Sequence, residues 1–175
     1  MGYNIKNTPN IGKAPNTTMY RIIIFLLLTS PLQILAQGNG NNKISVQANR
    51  PIQFSYNNIE ELQQQKVLTN ALELKLKVKE YSWNVFASLI ADNNSFYNTF
   101  NNKLALRLQN YDSYNANISR TEVVLSQTQA LLFTQPAVQH SQHFNFYYDV
   151  VLYPFTNFVP SGQFNFSIVF TMTRP

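Results

Sequence analysis

The C-terminal stretch from Gly162 to Pro175 limits the fold of this chain more than any other. Phe164, Phe166, Ile168, Phe170 and Met172 alternate with Asn165, Ser167, Val169, Thr171 and Thr173. A period of two places successive side chains on opposite faces of a β-strand. One face this aromatic has to enter a core, and its backbone has to pair with a neighbouring strand. These five residues are therefore expected to hold the terminal strand in a sheet. The alternation alone does not choose between a neighbour in the same chain and one in another.

The same period recurs upstream. Ile44 to Ala48 and Ile52 to Tyr56 alternate on either side of Asn49-Arg50-Pro51. Proline has no N–H for a ladder, so the chain is expected to lie at a sheet edge or change sheets there. Ala71 to Lys79 reads as a central strand, with Leu72, Leu74, Leu76 and Val78 on one face and Glu73, Lys75, Lys77 and Lys79 on the other. Trp83 to Ile90 follows after a turn at Tyr81-Ser82, with Trp83, Val85, Ala87 and Leu89 sharing a face. Leu104 to Leu108, Ile118 to Leu125, Gln129 to Thr134 and Gln142 to Tyr153 add further strands. Residues 57–70 read as a polar loop with one short helix capped by Asn57 or Asn58. The pattern predicts an all-β chain: an antiparallel, immunoglobulin-like β-sandwich of about eight strands.

The N-terminus reads differently. Lys6, Lys13 and Arg21 precede the apolar run Ile22 to Leu28, and Ala36 follows a break at Thr29-Ser30-Pro31. This is the layout of a cleaved signal peptide, residues 1–36, with Met19 as an alternative start. The apolar run is shorter than the ~18–20 residues a spanning helix needs. Residues 37–175 then form a single domain, and removing the three leader cations from the net charge of +5 leaves +2. A near-neutral domain gives no case for nucleic acid or for a strongly anionic surface as a partner, so no nucleic acid is expected. The chain has no Cys, which excludes disulfides, a thiol nucleophile and cysteine metal sites.

Two stretches carry a family resemblance. Asn70 to Val85, a strand leading through a short turn into Trp83, resembles the strand pair of bacterial pilin-like domains. Pro160-Ser161-Gly162-Gln163-Phe164, followed by Ile168 to Pro175, resembles their close. The nearest families are the spore-coat-U-like fimbrial subunits and related exported Bacteroidetes domains. The resemblance implies an immunoglobulin-like sandwich serving as a surface or fimbrial building block. Only Gln37 to Asn42 precedes the first strand, which is short for a donor strand, and there is no disulfide. The resemblance therefore carries the fold and the surface role, and not polymerisation.

Candidate contact residues fall into two groups. Phe96, Tyr97 and Phe100, with Tyr111 and Tyr114, sit in Asn-rich loops and suit sugar stacking or a protein contact, unless they fold back to cap the sandwich. Lys75, Lys77 and Lys79 line one strand face as an anionic-glycan- or partner-binding ladder, or else as a solvated face or as charges that discourage edge pairing. His140 and His143 lack a neighbouring Cys or carboxylate that would make a metal site. There is no Gly-x-Ser-x-Gly elbow and no phosphate loop, and the carboxylates are scattered. The sequence thus predicts a non-enzymatic exported structural or adhesive subunit, without cofactor or metal. Its expected location is the periplasm, the outer cell surface or the extracellular space. Protein partners or self-assembly are expected, with glycan as a second ligand class and membrane contact only during export. The rival readings are a soluble glycan- or protein-binding module using the loop aromatics, and a small outer-membrane β-barrel.

Overall fold

Strand Gln163–Thr173 carries the alternation into the structure as its sequence demands. In this computed structural model, which describes residues 22–26, 42–91, 99–155 and 163–175, Phe164, Phe166, Ile168, Phe170 and Met172 are all buried. The strand pairs antiparallel with Trp83–Ala91, from Phe166 opposite Ala91 to Thr173 opposite Asn84. Its partner is thus a strand of the same chain. Trp83, Val85, Ala87 and Leu89 are buried on the same inner side.

In chain order the strands are β1 (Ile22–Leu26), β2 (Lys43–Ala48), β3 (Ile52–Tyr56), β4 (Lys66–Val78) and β5 (Trp83–Ala91). They continue with β6 (Leu104–Tyr111), β7 (Glu122–Val124), β8 (Ala130–Gln135), β9 (Gln142–Leu152) and β10 (Gln163–Thr173). They form two five-stranded sheets, ordered β3-β1-β10-β5-β8 and β2-β4-β9-β6-β7. The expected all-β sandwich is the observed fold. Among the described residues every pairing is antiparallel except that of β1 with β10, which is parallel. The strand beyond those expected is β1, the apolar centre of the segment read as a leader; the rest of residues 1–36 lies outside the described residues.

β2 and β3 are consecutive yet belong to different sheets, and Pro51 stands between them. The missing N–H makes this the natural point for the chain to leave one ladder for the other. The core fills the space between the sheets. Phe146 of β9 stacks on Phe133 of β8 with centroids 3.9 Å apart, joining the two layers. A membrane barrel needs one closed sheet with apolar side chains outside. Here two separate sheets turn their apolar faces toward each other, which replaces that rival with the sandwich.

Three local readings are revised. The loop expected to reach Asn70 ends earlier, because β4 begins at Lys66 and is bent by a register shift between Leu68 and Leu72. Asn70 sits at this bulge with φ 48°, a left-handed conformation that Asn tolerates better than most residues. The short helix α1 (Ile59–Leu62) forms with Asn58 as its cap, whose side chain accepts the Glu61 N–H at 2.9 Å. The strand expected over residues 118–125 shrinks to β7, while β6 runs on to Tyr111.

Candidate binding surface

The loop aromatics separate into buried and exposed. Phe100 is fully buried, with its ring edge-on to Phe155 at 5.2 Å and to Phe164 at 5.0 Å. It is a core residue and not a contact residue. Its position beside the terminal strand satisfies an aromatic face that sequence spacing left without a partner. Phe96 and Tyr97 lie outside the described residues. Tyr111 and Tyr114 remain exposed, at 43% and 72%.

Both tyrosines stand at the open end of the sandwich. Tyr111 stacks on Phe146 at 5.9 Å, and Tyr114 meets Phe144 edge-on at 6.0 Å. Each ring touches a buried core aromatic while the residue stays exposed, so capping and contact are compatible. The segment between them and β8 is fixed. Asn117 and Thr134 exchange two backbone hydrogen bonds at 2.8 and 3.0 Å, and the Ser113 hydroxyl donates to the buried Gln135 Oε1 at 2.8 Å. The Tyr114 hydroxyl donates to Gln142 Oε1 at 3.2 Å.

The lysine ladder is reorganised by sheet pairing. Lys79 lies just past the end of β4, and its ammonium is 2.6 Å from the Glu80 carboxylate. Lys75 is shared between Glu73 and Gln47, both at 3.3 Å. Lys77 has no carboxylate in ion-pair reach among the described residues. Its cross-strand neighbours are Lys43 on one side and His143 on the other. Strand spacing puts successive members of this row about 4.8 Å apart. All three belong to the outward parity, since Ile44, Leu76 and Phe144 beside them are buried. Asn42, itself buried, fixes the start of β2 by accepting the Lys79 N–H at 2.7 Å. Lys43 and His143 escape sequence reasoning because their signal is a register, and no local pattern encodes register.

The carboxylates are mostly engaged in structure. Asp149 is buried and accepts the Asn70 N–H at 2.7 Å and the Gln109 side-chain amide at 2.8 Å. Glu122 accepts from the Tyr153 hydroxyl and from Arg107. Those two donors, the tyrosine first, hold its carboxyl below the usual range against the opposing effect of burial. Burial, with the same Glu122 contact, pushes Tyr153 up to about 12. Lys66 donates to Glu61 at 2.9 Å and, as the largest cause, keeps that carboxyl low as well. No group of three or more His, Asp or Glu is placed to hold a metal ion among the described residues.

No protein-family model, no curated protein and no solved structure matches this chain.

Proposed function

We propose that the chain is an exported, non-catalytic structural or adhesive subunit of pilin-like, immunoglobulin-like design, acting at the cell surface or in an extracellular assembly. The observation that carries this reading is the position of β1. Ile22–Leu26 runs between β3 and β10, antiparallel to the first from Ile22 opposite Tyr56 to Leu26 opposite Ile52. It is parallel to the second, with Ile23 opposite Gln163 and Phe25 opposite Asn165. The same residues form the apolar centre of the leader. Cleavage after Ala36 would take this strand away and leave two facing rows of backbone donors and acceptors without partners. Such a slot invites an added strand, the usual route of β-augmentation. The resemblance of Asn70–Val85 and of the terminal stretch to pilin-like domains supports the sandwich and the surface role, while completion by a strand from another chain rests on the place of β1 alone.

The test is size-exclusion chromatography with light scattering on a chain beginning at Gln37, with and without a peptide spanning Ile22–Leu26. The expected result is concentration-dependent association, relieved by the peptide together with a rise in melting temperature. A stable monomer with a cooperative melt that ignores the peptide would overturn the reading.

A further inference from the structure

We propose that the outer face of the β3-β1-β10-β5-β8 sheet is the contact face of a symmetric dimer, packed against the same face of a second copy of this chain. None of its five strands contains an Asp, Glu, Lys, Arg or His residue. The other sheet carries charge on every strand: Lys43 on β2, Glu73 on β4, Arg107 on β6, Glu122 on β7 and Asp149 on β9. Surfaces that stay in water ordinarily mix charges of both signs, and sheet edges use charge to block pairing. Here even the edge strands β3 and β8 have none.

The face is apolar across its three C-terminal-side strands. Phe86 of β5 lies opposite Leu131 of β8 on one side and Thr171 of β10 on the other. Further along, Val169 lies opposite Ser88, and Ser167 opposite Ile90. Ile90 and Leu131 are exposed, at 54% and 39%. Phe86 and Val169 are half-buried and belong neither to the core nor to the residues packed against it. The Gln129 amide donates to the Thr171 hydroxyl at 3.4 Å, so this polar pair is matched within the chain. An uncharged apolar strip among hydroxyls and amides has the composition of an interface centre.

Charge and size select the occupant. Laid on the charged sheet of a neighbour, this face would bury ions without partners, which is costly. Laid on its own copy it buries none, and a two-fold contact needs only this one surface. By strand rise and spacing the five strands cover about 570 Å² of flat sheet. Side-chain relief enlarges that toward the ~800 Å² each partner gives to a standard interface. The proposal rests on β5, β8 and β10 and does not depend on whether β1 is exchanged.

The experiment is light scattering after size exclusion on the full chain, in which β1 keeps its place and strand addition is not the source of association. A dimer is expected, strengthened by sulfate as apolar contacts are. Ile90→Lys with Val169→Lys should leave a monomer, weakening association at least about a hundredfold by bringing like charges face to face. Ser45→Lys with Gln47→Lys puts the same charge on the other sheet's outer face and should keep the dimer within about twofold. Ile90→Glu with Val169→Glu should also be monomeric, and mixing it with the lysine pair should restore a dimer, which separates a broken contact from a broken fold. A native full chain still monomeric at about 0.1 mM would overturn the proposal and leave the Gln37-start test untouched. Equal dissociation by the two lysine pairs, or a Lys–Glu mixture that stays monomeric, would overturn it too. A monomer that bound phosphatidylcholine vesicles would replace the second copy with a membrane surface.

Discussion

At the scale of single residues, the informative positions are those where backbone and side chain disagree with their surroundings. Glu80 has φ 70° in the turn between β4 and β5, where the Tyr81 N–H donates to the Lys79 carbonyl at 2.9 Å. A left-handed conformation costs a residue with a β-carbon about 1–2 kcal/mol, and a β-branched one more. Glu80→Gly is therefore expected to be at least as stable as the native chain, and Glu80→Val lower by about 1–2 kcal/mol. Thermal melts of the two variants decide this. Asp149 is the opposite case, a buried acid that the fold uses. It takes the N–H that the Asn70 bulge withdraws from the β4 ladder, together with the Gln109 amide. Asn70 and Gln109 are exposed and can turn to water, so Asp149→Ala costs the two charge-assisted hydrogen bonds rather than orphaned donors and should lower stability by about 1.5–3 kcal/mol. Urea unfolding would show a lower midpoint at unchanged slope. The presence of Asp149 in β9 was plain in the sequence, but its partners lie 79 and 40 residues away. No local pattern announces such a contact.

At the scale of elements, two ion-pair clusters give the fold its acid limit. One ties α1 to the start of β4 through Glu61 and Lys66, and the other ties β7 to β6 and Tyr153 through Glu122 and Arg107. Both carboxyls lie below their unfolded values in the folded chain. Their stabilisation is thus present above the ordinary value of about 4.3 and is lost as pH falls through the folded values. The tyrosines act in the opposite sense. Burial raises Tyr148 and Tyr56, and Tyr153 reaches about 12. Stability from these groups is present below about 10 and is lost as pH rises toward the folded values. Melting temperature followed by circular dichroism should be flat from about pH 5 to about pH 9 and fall on both sides. Lys66→Met should shallow the acid limb; an unchanged limb would remove Glu61 from this account.

At the scale of the whole molecule, the two sheets differ in what they offer. The β2-β4-β9-β6-β7 sheet is complete within residues 42–155. The other sheet is continuous only through β1, which bridges β3 and β10. Loss of β1 would leave the Phe face of β10 supported by β5 alone in its own sheet.

The strands and their inward faces were legible in the amino-acid order because the pleat converts alternation directly into sidedness. Leu72 to Val78, Trp83 to Leu89, Phe144 to Leu152 and Phe164 to Met172 all turned their alternating apolar residues inward as the pattern requires. Pro51, through the N–H it lacks, announced a sheet edge or a change of sheet, and both hold: β2 and β3 are each edge strands and lie in different sheets. Neighbourhood is a different kind of information. Which strand lies beside which, and in what register, is settled by packing between segments far apart in the chain. Only tertiary structure could bury Phe100 against Phe155 and Phe164, pair Lys79 and Lys75 with acids, or set Lys43 and His143 beside Lys77. The same holds for β1, whose apolar run reads locally as a leader and whose place between β3 and β10 depends on two strands that meet only in the folded chain.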